Sequence, residues 1–115
     1  MAGTHDDAML VVELAQWGTS MGLNDAVAAI WMDDFDVESA EASDTNVRTI
    51  LTFFETLGTL VKNGLLNRDL VYDWLWAKGA WERVGPAAIR AREHHGVSQL
   101  FENFEALAAG QGGGA

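Results

Sequence analysis

The stretch NVRTILTFFETLGTLVKN, residues 46–63, decides the fold class. Val47, Ile50, Leu51, Phe54, Leu57 and Val61 recur at spacings of three and four, the period of one face of an α-helix, and Phe53 and Leu60 widen that face sideways. An alternating strand would put every second residue on one face and would split this set between core and solvent. So broad an apolar stripe needs cover from more than one neighbour, which predicts a helix at the centre of a helical core. Asp44 or Thr45 suits its N-cap, and Gly64 suits the left-handed residue that ends it.

The same spacing extends in both directions. Leu10, Leu14, Trp17 and Met21 form a stripe on a first helix from about Asp6 to Met21, with Asp6 and Asp7 at its positive end and Gly22 as its stop. Asn24 is the expected N-cap of a second helix whose Val27, Ile30, Trp31 and Phe35 share one face, followed by an acidic loop to Ser43. Beyond Gly64, Asn67 caps a fourth helix from Arg68 to about Lys78, expected to form a central antiparallel hairpin with the third. A fifth runs from about Ala80 to His94, and Pro86 requires it to begin there or to kink. Ser98 caps a sixth, striped by Leu100, Phe101, Phe104, Leu107 and Ala108. The expected fold is all-α: a compact bundle of about six helices forming a single domain over residues 1–109, with a disordered glycine-rich tail from 110 to 115.

Composition narrows the function classes. Across 115 residues, 49% hydrophobic and including five tryptophans, there is ample apolar surface for a core. Seven Lys and Arg against seventeen Asp and Glu leave a formal charge of -10, which repels nucleic acid and anionic membrane surfaces. The absence of cysteine excludes disulfides, thiolate metal sites and a cysteine nucleophile. The first twenty residues lack a basic segment followed by an apolar one, and no apolar run reaches membrane-spanning length, so a soluble cytoplasmic protein is expected.

Phe54-Glu55-Thr56-Leu57-Gly58, Leu60-Val61-Lys62-Asn63-Gly64-Leu65-Leu66 and Asp69-Leu70-Val71-Tyr72 resemble a bacterial family described only as domain of unknown function 4760. Trp81, Pro86, Ile89, Arg90 or Arg92, and Phe101-Glu102-Asn103-Phe104-Glu105-Ala106-Leu107 follow in that family's order, so the resemblance spans Thr45 to Leu107. It implies an all-helical fold and carries no activity, substrate or catalytic residue. Many members have a hydrophobic anchor ahead of the domain, a pattern this sequence does not show.

Several groups invite chemistry and are weighed against ordinary structural roles. Asp33, Asp34, Asp36, Glu38, Glu41 and Asp44 crowd oxygen ligands into one loop, yet a calcium loop begun at Asp34 would place Ser39 where glycine is needed and Thr45 where the bidentate glutamate belongs. Asp33, Asp34, Asp36 and Glu38 thus stand only as weak metal candidates. His94 and His95 diverge by about 100° on a helix and cannot ligate one ion together. Ser20, Ser39, Ser43 and Ser98 fall at caps or in loops without a nucleophile-elbow pattern. Glu55 is an ordinary boundary charge or else the partner of Arg92 in a partly buried ion pair or ligand contact.

The fourth helix is the oddest, because Leu70, Val71, Trp74 and Leu75 supply a core face while Tyr72 and Trp76 point elsewhere. Two aromatic faces need two partners, so Tyr72, Trp76 and Trp81 become candidate interface residues. The expected function is a non-enzymatic interaction or assembly module that binds a protein partner or a second copy of itself, with no cofactor, nucleic acid or membrane. The alternative is a small-molecule or divalent-cation-binding domain, and acid-base catalysis by Glu55, Asp69 or Asp73 ranks third.

Overall fold

The computed structural model describes residues 4–112. It contains six helices: α1 His5–Ser20, α2 Leu23–Ile30, α3 Thr45–Lys62, α4 Arg68–Trp74, α5 Ala77–His95 and α6 Glu102–Gly110. Among the described residues there is no strand, and no helix is long and apolar enough to cross a membrane.

The central stripe of α3 is buried as its spacing requires: Val47, Ile50, Leu51, Phe53, Phe54 and Leu57 are all inaccessible or nearly so. Its main neighbours are α6, α2 and α5. Phe54 stacks on Phe104 of α6 with centroids 4.8 Å apart, and Phe53 meets Trp17 of α1 at 5.4 Å and Trp74 edge-on at 5.9 Å. The α3–α6 crossing is close because Gly58 has no side chain; a Cβ there would collide with the Asn103 carbonyl. The chain does turn after α3 at Gly64, which has φ +72, but α4 then lies against α1, whereas α3 takes the other helices as its main neighbours.

The boundaries depart from the spacing argument in α2, α4 and α6. The N-cap of α2 is Gly22 at φ +85, not Asn24, and α2 ends at Ile30, so Trp31 leaves the core face and is 44% exposed. The fourth helix stops at Trp74 instead of continuing to Lys78: Leu75 is extended and Trp76 becomes the N-cap of α5. Helix α5 begins before Pro86 and passes through it. Gly85 eases this passage, since a Cβ on the residue before proline is what usually clashes with the proline ring. Ser98 does not cap α6, which starts at Glu102 behind Phe101, a non-glycine residue at φ 62. Of the expected tail, Gly110 closes α6, Gln111 is hydrogen-bonded as described below, and residues 113–115 lie outside the described set.

The start of α1 is tied both to itself and to α4. Thr4 and Asp7 form a reciprocal capping box, and the second Asp7 oxygen accepts from the Asn67 N–H at 3.2 Å. The Thr4 backbone N–H, then the Thr4 hydroxyl, hold the Asp7 carboxyl below its usual 3.8 against opposing desolvation, with a lesser lowering from the Asn67 N–H. A carboxyl whose folded pKa is depressed stabilises the fold above its unfolded value and loses that contribution as pH falls through the folded one. Acid titration should therefore destabilise wild type relative to Asp7→Asn below the ordinary carboxylate pKa; parallel curves for the two proteins would show that the Asp7 contacts do not operate in solution. Leu57→Ala should cost about 2 to 5 kcal/mol in denaturant melts, because the site is enclosed on all sides. A loss below about 0.5 kcal/mol is what a surface position gives and would overturn this orientation of α3.

Candidate functional site

The most exposed large apolar side chains include Trp31 and Trp76, at 44% and 50% accessibility. They come from opposite halves of the chain and stack, with centroids 5.5 Å apart and planes 3° from parallel. Two features aim Trp76. The α4–α5 break turns it off the helix, and Gly79 leaves room for its ring, since a Cβ there would meet the indole. The break is held open by Gln111, whose amide donates to the carbonyls of Leu75 at 3.0 Å and Tyr72 at 3.4 Å while its oxygen accepts from the Lys78 N–H at 3.0 Å. One side chain thus serves the end of α4 and the start of α5, where unpaired backbone groups would otherwise remain.

Trp31 is fixed by Arg83 of α5. The guanidinium lies 5.3 Å from the Trp31 ring and 5.1 Å from that of Phe35, and its Nε donates to the Ile30 carbonyl at 2.7 Å. Two helical turns further along, Arg90 donates to the carbonyls of Val37 and Ala40. Arg83 holds the last carbonyl of α2 and, at 3.5 Å, that of Met32, Arg90 holds two carbonyls of the α2–α3 linker, and among the described residues no ion pair engages Asp33 or Asp34. Asp36 accepts from the Glu38 N–H at 2.9 Å, the main reason its carboxyl is held below the usual value.

The three candidate aromatics separate. Trp76 belongs to the exposed stack. Tyr72 is half-buried and donates its hydroxyl to the Leu107 carbonyl at 2.7 Å, and partial burial raises its pKa by disfavouring the phenolate. Trp81 packs edge-on against Phe104 at 5.0 Å over Gly85, under the Arg92 guanidinium at 5.8 Å. Trp31, which the spacing argument assigned to the core, takes the place beside Trp76. No local signal marked this, because Phe35, four residues on, continues the same helical spacing past Met32-Asp33-Asp34.

Glu55 and Arg92 act on the same element from two sides. Glu55 Oε1 accepts the Phe104 N–H at 2.9 Å in the first turn of α6, and Asn103 donates to the neighbouring Thr59 hydroxyl at 3.1 Å. Arg92 Nε donates to the Leu100 carbonyl at 2.7 Å, while its Nη2 stands 2.9 Å from Glu105 Oε1, near enough to pair by charge but off the line of a hydrogen bond. Glu55 thus supplies from α3 the cap that Phe101 cannot give α6. Glu55→Ala should lower stability by about 0.5 to 2 kcal/mol, the range for a lost N-cap, with Glu55→Gln recovering part of it. An unchanged melting curve for Glu55→Ala would remove this capping role.

The linker and the end of α5 enclose a hollow of about 600 Å³ lined by Glu38, Glu41, Arg90, His94 and His95, among others. Among the described residues no group of three or more His, Asp or Glu is placed to hold a metal ion; this includes the weak candidates Asp33, Asp34, Asp36 and Glu38. A second, shallower depression of about 550 Å³ runs beside Trp76 and includes Tyr72, Asp73 and Gln111.

The family model described as Domain of unknown function (DUF4760) matches residues 5–111. The chain belongs to this family. The match extends the resemblance from Thr45–Leu107 back through α1 and α2, so the domain includes the helix that delivers Trp31. Comparison with curated proteins and with solved structures gave no match.

Proposed function

We propose that this DUF4760 domain is a non-enzymatic interaction module whose contact surface centres on Trp31 and Trp76. The observation that carries the reading is the exposed, nearly parallel indole stack. Water is a poor environment for two large rings, and exposed apolar clusters of this kind mark contact sites. The rings are already positioned by Arg83, Gly79 and the Gln111-bridged break, so little rotamer entropy remains to be lost when a partner covers them. Tryptophan and arginine are also the side chains that most often dominate binding energy in contact surfaces.

The small-molecule alternative has the hollow beside His94 and His95 in its favour, but the apolar side chains that line it are only the alanines Ala42, Ala87 and Ala91, with no Phe, Tyr or Trp. Ligand pockets are more often lined by larger hydrophobic and aromatic side chains, with a few convergent polar groups. The aromatic face therefore supports the interaction reading better.

Replacing Trp31 and Trp76 together by serine tests it. Removing such anchors should weaken association by roughly thirtyfold or more, corresponding to about 2 kcal/mol, in sedimentation or in quantified co-purification of a stoichiometric partner. Helicity should persist, because both rings lie outside the enclosed α3 core. Association unchanged in a folded double variant would refute the assignment, and loss of the fold would reassign the pair to the core.

A further inference from the structure

We infer that the occupant of the Trp31–Trp76 face is a cationic segment of another protein carrying an apolar or aromatic anchor, an inference that rests on the interaction reading above. The argument is one of charge. Asp33 and Asp34 follow Trp31 and Met32 directly and are exposed, and Asp73 lines the depression on the Trp76 side. Carboxylates from two different parts of the chain thus neighbour the stack, Asp33 and Asp34 by following Trp31 and Asp73 by lining the same depression as Trp76.

Among the described residues no ion pair engages these carboxylates. Arg83 is committed to the Ile30 carbonyl and the Trp31 and Phe35 rings, and Arg90 to the carbonyls of Val37 and Ala40. The linker backbone is thereby anchored to α5 while Asp33 and Asp34 face solvent. A partner with Lys or Arg beside its anchor would gain charge pairs at little cost in ordering this side. The interaction strengthens as the rings exclude water from between the charges.

The same charge argues against the other occupants. Two copies meeting at this face would bring Asp33, Asp34 and Asp73 toward their own images in a chain of net charge -10, and like charges brought together at an interface are costly. A phosphate backbone or an anionic lipid surface would be repelled for the same reason.

The test uses three synthetic peptides of one length that share a Leu/Trp anchor and differ in flanking charge: lysine and arginine, serine, or glutamate. Binding to the whole chain is followed by calorimetry, with sedimentation of the chain alone in parallel. The cationic peptide should bind at least tenfold more tightly than the serine peptide, and the glutamate peptide should not bind. Raising the salt toward 1 M, where the Debye length falls to about 3 Å, should remove most of the advantage. Asp33→Asn/Asp34→Asn/Asp73→Asn should abolish the charge preference while leaving binding to the serine peptide intact. If the serine peptide binds wild type as well as the cationic one does, and Trp31→Ser/Trp76→Ser abolishes both, the interaction reading stands and the cationic partner is overturned. A self-association lost in that tryptophan variant would likewise replace the cationic segment by a second copy. Binding of the cationic peptide that is indifferent to the tryptophans would be diffuse attraction and would overturn the inference together with the reading beneath it.

Discussion

The close seating of α6 on α3 is the constraint on which the rest of the structure depends. Helix α6 spans only Glu102–Gly110, begins behind a left-handed Phe101 and has no side-chain cap of its own. Helices this short are marginal in water, and a left-handed non-glycine residue costs a further 1–2 kcal/mol, roughly. What offsets these costs comes from other elements: the missing side chain at Gly58, the Glu55 cap, the Thr59–Asn103 hydrogen bond, and Arg92 reaching from α5. Phe104 then fills the space between Phe54 and Trp81.

That seating propagates to the surface. With α6 in place, its end reaches the joint between α4 and α5, where the Leu107 carbonyl accepts from Tyr72 and Gln111 satisfies both sides of the break. The break turns Trp76 outward over Gly79 and against Trp31. A glycine in the middle of α3 is thus linked, through one short helix and one glutamine, to the arrangement of two exposed indoles.

The second organising choice is the use of arginine on backbone carbonyls. Arg83 and Arg90 hold the end of α2 and the α2–α3 linker by carbonyl groups, while Asp36 and Asp44 accept backbone N–H groups within the linker and Asp33 and Asp34 stay exposed. Arginine suits this role because its planar fork donates several hydrogen bonds while stacking on aromatic rings, as Arg83 does on Trp31 and Phe35. A lysine could supply the charge but not both contacts.

The helical class, the six elements and the central place of residues 46–63 were legible in the sequence, because apolar spacing is a local property that the core only has to accept. Asn67 as a cap and Gly64 as a left-handed stop were legible for the same reason: each acts on backbone groups within a few residues of itself. The candidate surface was only half legible. Trp76 could be singled out, but Trp31 carried the same helical spacing as Ile30, and nothing nearby indicated that α2 would end between them. Glu55 could be read as a boundary charge or as the partner of Arg92, whereas Arg92, beside Glu105, donates to a backbone carbonyl and Glu55 accepts a backbone N–H around α6. Such groups are present at nearly every position and leave no mark in a sequence. Only the tertiary structure decides these points, because which backbone groups remain unpaired, and which distant side chain reaches them, is set once the helices have packed.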